Sequence, residues 1–406
     1  MFKERVKTHH RGKKGPNLPV LRRTIDKFLQ TTPKQKEGVI YFHVPFCDNI
    51  CSFCSMNRSK LDGQLDEYCE FLLKKIDEFC DYPYIKQKEF ESIYFGGGTP
   101  TIFKNHHLEK ILKAINEKFN ISPTCEFSFE STLHNLNMEK LRLMQDLGVN
   151  RYSIGIQSFN DEGRKLLNRV GDGKHAIDKL SKIKSNFKGN ICIDIIYNYP
   201  NQSLKDVIND AKMAKELEVD SASFYSLMFH EGSKLSEDIR LEDYYDLKHD
   251  NALHNHFVEE MLKDDYEILE LTKVNKKGRD KYKYIRLTHQ GADILPLGIG
   301  AGGRLGEYGS FTFSKFGKAM QVFTKKSEKE QRLDAIDWLF QYQNIKLEKL
   351  KNLVNNKAYE EIFDFLKKTE EHQYIRLNDE EINFTINGIF WGNTIASHVL
   401  DIAQKY

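Results

Sequence analysis

The chain has 406 residues, 30% of them charged, and a formal net charge of +2. That length can bury one large core plus a smaller one, and the near-neutral balance excludes the basic footprint expected of a nucleic-acid binder. No apolar run reaches the length of a membrane-spanning helix, and the polar stretch from Met1 to Lys14 lacks the apolar centre of a secretory leader, so the reading is a cytoplasmic protein without membrane insertion.

Residues 1–38 carry turn residues such as Gly12, Gly15 and Pro16 and one helical stretch over Leu21 to Leu29. They read as an arm packed on the main domain, with His9 and His10 solvated rather than ligands. From Val39 onward, short apolar or β-branched runs alternate with segments of helical period. Strands are predicted over Val39 to Val44, Glu91 to Phe95, Glu126 to Glu130, Arg151 to Ile156, Ile191 to Ile196 and Ser221 to Leu227. Helices are predicted over Leu65 to Phe79, Leu108 to Phe119, Met138 to Leu147, Ala176 to Ile183 and Leu204 to Leu217. Such alternation argues for repeated βα units and a parallel sheet. Six units predict an α/β fold built as a partial (β/α)6 barrel over residues 39–240, with function collected at the C-terminal ends of the strands.

The first strand runs into Cys47, Cys51 and Cys54, a C-x3-C-x2-C loop. A closed zinc site wants four ligands, usually as C-x2-C pairs, and the other cysteines, Cys69, Cys80, Cys125 and Cys192, are singletons. Three thiolates suit an iron–sulfur cluster with one iron left to a non-protein ligand, and a redox-active thiol group is the alternative. Seven cysteines, an odd number, also fit a reducing compartment better than a disulfide framework.

Unusual residues also follow the later strands. Gly96-Gly97-Gly98-Thr99 marks a loop that needs positive φ or an unobstructed backbone approach, and it lacks the lysine of a phosphate loop. Glu130 ends an alternating strand on a carboxylate. Gln157 offers an amide for hydroxyls and Arg169 a bidentate fork for a carboxylate. Asp194 sits inside an apolar run, where a carboxylate must find partners. Met228 and His230 lie on the segment leaving the barrel.

Further on, Leu241 to Glu270 reads as helix and Tyr282 to Leu287 as strand, followed by a second glycine-rich run from Leu295 to Gly309. Six glycines there allow close approach of a large ligand, and no crossover helix makes the run a dinucleotide fingerprint. Residues 241–329 read as a substrate-side extension. Residues 330–406 read as an α-rich, helical or winged-helix-like lid, with a β-like stretch at Phe384 to Gly388. His230, His289, Arg304 and Tyr308 are the candidates for proton transfer at a substrate.

The stretch Tyr41 to Met56 resembles the signature of radical S-adenosylmethionine (SAM) enzymes, and Tyr41-Phe42-His43-Val44-Pro45-Phe46-Cys47 looks like the branch containing oxygen-independent coproporphyrinogen III oxidase. The resemblance implies a [4Fe–4S] cluster on Cys47, Cys51 and Cys54 whose open iron chelates SAM. It also implies SAM contacts from Tyr41, Phe53, Gly97, Gly98, Thr99, Glu130, Gln157, Arg169, Asp194 and Met228: the glycine loop and Glu130 at the amino group, Arg169 at the carboxylate, Asp194 at the ribose and Met228 near the adenine. Met56 stands where the oxidases typically carry a further cysteine. Haem chaperones of the branch typically begin their cluster loop nearer the N-terminus and show Gly-Ala-His where this chain has Gly302-Gly303. The run Leu295 to Tyr308, with Phe390-Trp391-Gly392-Asn393, is most similar to the anaerobic haem-degrading methyltransferases. That similarity implies a methyltransferase that opens haem or a related tetrapyrrole to a linear product, anaerobilin, releases iron and draws electrons from a flavodoxin or ferredoxin. Coproporphyrinogen oxidation and a non-catalytic haem chaperone are the alternatives.

Overall fold

The computed structural model describes residues 1–7, 19–54, 59–60, 64–240, 243–315 and 318–406. The readings made on His9, His10, Gly12, Gly15, Pro16 and Met56 lie outside them.

One twelve-stranded sheet organises the chain. Its strands are β1 (Glu37–Val44), β2 (Glu89–Gly97), β3 (Ile121–Ser131), β4 (Arg151–Gln157), β5 (Asn190–Tyr197), β6 (Ser221–Ser226), β7 (Tyr266–Glu270), β8 (Lys273–Lys276), β9 (Asp293–Leu297), β10 (Gly302–Leu305), β11 (Tyr308–Lys315) and β12 (Lys318–Lys325). Strands β1 to β6 pair in parallel in sequence order, as the six βα units predict. The spatial order is β12-β11-β10-β9-β1-β2-β3-β4-β5-β6-β8-β7. The fold is thus α/β, a mostly parallel sheet covered by helices.

Helices α1 (Leu65–Cys80), α2 (Asn105–Lys118), α3 (Met138–Asp146), α4 (Gly173–Asn186) and α5 (Leu204–Glu216) cover the sheet. Their apolar stripes enter a core with Phe42, Phe95, Phe127 and Ile193 from the strands, the arrangement that a 3.6-residue period against a period of two imposes. Start signals are local: Ser203 caps α5 reciprocally with Asp206, and Asp172 accepts from the His175 amide at the start of α4.

Four expectations are corrected. A seventh parallel strand exists, because Leu295-Pro296-Leu297, read as part of a glycine run, is apolar enough to enter the core in β9 beside β1. The helix expected over Leu241 to Glu270 is limited to α6 (Leu247–Leu262), capped by Asp246, and Tyr266 to Glu270 forms the edge strand β7. The strand expected over Tyr282 to Leu287 is a helix, α7 (Lys283–His289). Its alternating tyrosines mimic a strand, yet Tyr282 turns the chain at φ 43° and Tyr284 stacks inside the barrel on Tyr94 (4.5 Å) and Tyr41 (5.8 Å). The β-like stretch stops at Phe384, since Thr385 accepts from the Gly388 amide at 3.0 Å and starts α8 (Ile386–Lys405).

After Lys325 a second core gathers Ile336, Phe340, Ile362, Leu366, Ile395 and Val399, beside a three-stranded antiparallel sheet (Asn344–Lys346, Ile375–Leu377, Glu381–Phe384). The N-terminal residues strap the two regions together. Arg5 donates to the Phe390 carbonyl (2.9 Å), the Tyr197 hydroxyl (3.0 Å) and Asp250 (3.1 Å), and the Val6 amide donates to Thr394 Oγ1 at 2.9 Å. A β-carbon on Gly388 would lie 1.6 Å from the Tyr374 carbonyl oxygen. Gly388→Ala is therefore expected to destabilise the protein by about 3 kcal/mol through overpacking, read as a lowered midpoint in urea unfolding.

Candidate active site

The C-terminal ends of the parallel strands surround a cavity of about 260 Å³ that contains all three loop cysteines, Cys47, Cys51 and Cys54. Thr99 Oγ1 donates to Cys47 Sγ at 3.6 Å and Arg169 Nη1 to Cys51 Sγ at 2.9 Å. Glycine is required here by space: a β-carbon on Gly98 would sit 2.5 Å from the Phe46 carbonyl oxygen and 3.0 Å from Cys47 Sγ.

Around the rest of the cavity each strand end contributes one or two polar groups. Glu130 lies next to the end of β3, half-buried, and accepts from the Tyr94 hydroxyl (2.9 Å) and the Gly97 amide (3.0 Å). Burial, and next the charge of Asp194, push its carboxyl up to about 7. At the end of β4 the ladder to β5 is irregular between Gly155 and Gln157, and Gln157 takes φ 72°, a conformation that costs a non-glycine residue. A β-carbon on Gly155 would lie 2.9 Å from Gln157 Nε2 and 3.3 Å from Arg169 Nη2, so that glycine lets both side chains reach the cavity. Arg169 also donates to the Gly155 carbonyl. Its Nε is buried and has no hydrogen-bond partner among the described residues. Asp194 follows on β5 and accepts weakly from Ser153 at 3.4 Å.

A second cavity, of about 440 Å³, shares Phe53, Cys54, Gln157, Asp194 and Tyr225 with the first and adds Ile196, Leu227, Met228 and His230. Eleven of the thirteen residues proposed for cluster and SAM line the first cavity. Met228 lines the second, and Tyr41 lies behind the wall, its hydroxyl 2.9 Å from His43 Nδ1. Of the four candidates for proton transfer, His230 alone lines either of these two cavities. His289 is held against Tyr342 and Trp338, Arg304 against Trp338 and the Ala292 carbonyl, and Tyr308 packs on Phe28.

Tyr94, Ser153, Ser223, Tyr225 and Tyr282 line the site without having been singled out. Tyr94 shares strand parity with Gly96 of the glycine loop, so the period-two pattern carried a signal there; the β6 residues Ser223 and Tyr225 share their strand with no residue that was singled out. Tyr282 had no such signal, since it arrives from outside the six βα units on a left-handed turn.

Three soft sulfur donors facing one cavity, with the remaining four cysteines outside its walls, fit an iron–sulfur cluster with one iron left for another ligand. The unsatisfied Arg169 Nε and the carboxyl of Glu130 fit the two ends of an amino acid beside it.

Residues 41–214 match the model of the radical SAM superfamily, and the chain carries a radical SAM domain, the kind that uses a [4Fe–4S] cluster and SAM. Its curated relatives include proteins of the branch that the cluster loop resembles. The chain is 26% identical to the anaerobilin synthase of Escherichia coli O157:H7 over 71% of its own length and 65% of that protein. It is 32% identical to the haem chaperone HemW of Lactococcus lactis over 48% of its length and 51% of that protein. The matches thus span about half to two thirds of these relatives. The structure of coproporphyrinogen III oxidase (HemN) from Escherichia coli superposes with a TM-score of 0.79 at 17% identity, covering 94% of this chain and 93% of that one, which shows the shared fold. No helix among the described residues is long and apolar enough to cross a membrane.

Proposed function

We propose that the protein is a radical SAM enzyme that opens haem anaerobically to a linear tetrapyrrole, methylates it with SAM and releases iron. The observation that carries this reading is the pair of joined cavities. An apolar space walled by Ile196, Leu227 and Met228 shares a wall with the thiol cavity, so a flat apolar ligand in the one would abut a nucleoside in the other. The likeness to an anaerobilin synthase over 71% of the chain supports it, as does Met56 in place of the oxidases' further cysteine.

In this reading Cys47, Cys51 and Cys54 hold the cluster, and when bound the cluster and SAM supply the electron and the radical chemistry. The chain's own work is placement. Arg169 forks onto the SAM carboxylate, Glu130 and the backbone of Gly97, Gly98 and Thr99 take the amino group, and Gln157 and Asp194 take the ribose hydroxyls. Phe53 and Met228 flank the base, and Tyr41 backs the wall. Residues 330–406 act as a lid, tied down by the N-terminal strap: Lys7 donates to the Leu227 carbonyl at 3.1 Å on the rim of the second cavity. A flavodoxin or ferredoxin supplies electrons, and excluding water protects the radical.

Because Glu130 titrates near 7, seating an ammonium there takes a proton off it. SAM affinity is expected to fall as pH drops from 8 to 6, approaching tenfold per unit below 7, and Glu130→Gln to remove the dependence; equilibrium dialysis checks both. Without SAM the sign reverses: a raised carboxyl pKa gives stability that is present at low pH and lost as pH rises through about 7.

The function itself is tested by anaerobic reconstitution with iron and sulfide, then incubation with SAM, reductant and haem. Loss of the Soret band with a methylated, iron-free product is expected. Stable haem with slow SAM cleavage would favour a chaperone, and carbon dioxide release from coproporphyrinogen would favour the oxidase reading.

A further inference from the structure

Tyr225 is the second-last residue of β6, and alternation along the strand puts it on the same side of the sheet as Ser223. It lines both joined cavities, and 42% of its surface is accessible, so its phenol is open to a molecule in either space. Behind it stands an ordered line of donors. Lys273 is the register partner of Ser223 across the antiparallel β8–β6 pair. Its ammonium is buried, donates to Ser223 Oγ at 2.6 Å and lies 4.5 Å from the centre of the Tyr282 ring. A hydroxyl that accepts from an ammonium keeps its own hydrogen to give, and Ser223 interacts with the Tyr225 phenol.

We infer that Tyr225 is a general acid that protonates the tetrapyrrole, with Ser223 and Lys273 as positioning residues that stabilise the phenolate. The assignment rests on the haem-opening reading above. In the step, the Tyr225 O–H bond breaks and an N–H bond forms on a pyrrole nitrogen that keeps the electron pair of its broken bond to iron. The negative charge rests on the tyrosine oxygen, where Ser223 donates to it, until a proton from solvent restores the accessible phenol. No oxidant or reductant is consumed in this transfer.

The surroundings suit an acid rather than a base. Burial, then the charges of Asp194 on β5, Glu270 on β7 and Glu130 on β3, push the phenol up, against the opposing hydrogen bond of Ser223. Tyr225 therefore carries its proton at neutral pH.

The test uses the full chain with its cluster, SAM, reductant and haem, and compares Tyr225→Phe, Ser223→Ala, Lys273→Met and the double variant Tyr225→Phe/Lys273→Met. Tyr225→Phe is expected to keep its melting temperature and to bind SAM and haem within about twofold of the wild type, while the ratio of 5′-deoxyadenosine to ring-opened product rises about 100-fold, the usual scale of lost acid catalysis. Ser223→Ala should shift the same ratio less. The double variant should be no slower than Tyr225→Phe alone, because groups that act as a unit are not additive; Tyr225→Phe/Ser223→Ala serves if Lys273→Met does not fold. Equal losses of nucleoside and product in Tyr225→Phe, undiminished product, or multiplicative losses in the double variant would overturn the assignment. A wild-type enzyme that leaves haem intact would overturn the haem reading and this step with it, whereas normal turnover in Tyr225→Phe would overturn this step alone.

Discussion

Serine at any one of Cys47, Cys51 and Cys54 is expected to give a folded protein that holds no stable cluster and releases less than about 1% of the wild-type 5′-deoxyadenosine. The loss is large because each thiolate serves one iron and no other thiol stands ready. Cys69, Cys80, Cys125 and Cys192 lie outside the cavity walls. Burial pushes the Cys69 thiol up to about 11 and the Cys125 thiol to about 12, and raises Cys192 further, so these groups stay protonated and inert. Weaker, indirect partners of a metal already cost 10- to 100-fold when removed. The measurement is the visible absorption of anaerobically reconstituted protein alongside nucleoside release. A serine variant that retains both would remove the metal role from that position.

The largest expected effect on stability lies under the site rather than in it. Arg151 and Asp280 have fully buried side chains and face each other in two hydrogen bonds of 3.0 Å, and Asp280 also accepts from Ser221 (2.6 Å) and the Cys192 thiol (3.0 Å). Asp280→Ala leaves a guanidinium in the interior without its partner and is expected to cost about 3–5 kcal/mol. Replacing both, as Arg151→Met with Asp280→Leu, should cost less than the single change, because the uncompensated charge goes with it. Denaturant unfolding of the three variants checks the order. Burial works against the Asp280 carboxylate, but Arg151 outweighs it and holds the group below the usual carboxylate range. Its contribution is therefore present at neutral pH and lost only on strong acidification.

These two sites differ in how far the sequence reveals them. The thiol loop is legible because its chemistry is local: three cysteines within eight residues can serve one metal whatever surrounds them. Glu130 and Asp194 are legible for a different reason, since the first ends an alternating run that fixes its direction and the second interrupts an apolar one. The Arg151–Asp280 pair joins a strand to a loop 129 positions later, and no local pattern marks such a partner. Nor does periodicity mark Tyr282, whose place depends on one unfavourable backbone angle. Strand β9 was hidden by composition: glycines on its C-terminal flank pointed to a loop, and only the vacancy beside β1 turns its apolar residues into sheet.

That vacancy also has a consequence in time. Strand β1 is made early yet ends in the interior of the sheet, with β2 as one neighbour and β9, more than two hundred residues downstream, as the other. At about 5–20 residues per second, a ribosome leaves one side of β1 unpaired for roughly 10–50 s. For that interval an apolar strand presents open backbone donors and acceptors, the condition under which nascent chains associate with each other. Slower translation should therefore lower the yield of native protein, and chaperones that shield strand edges should restore it.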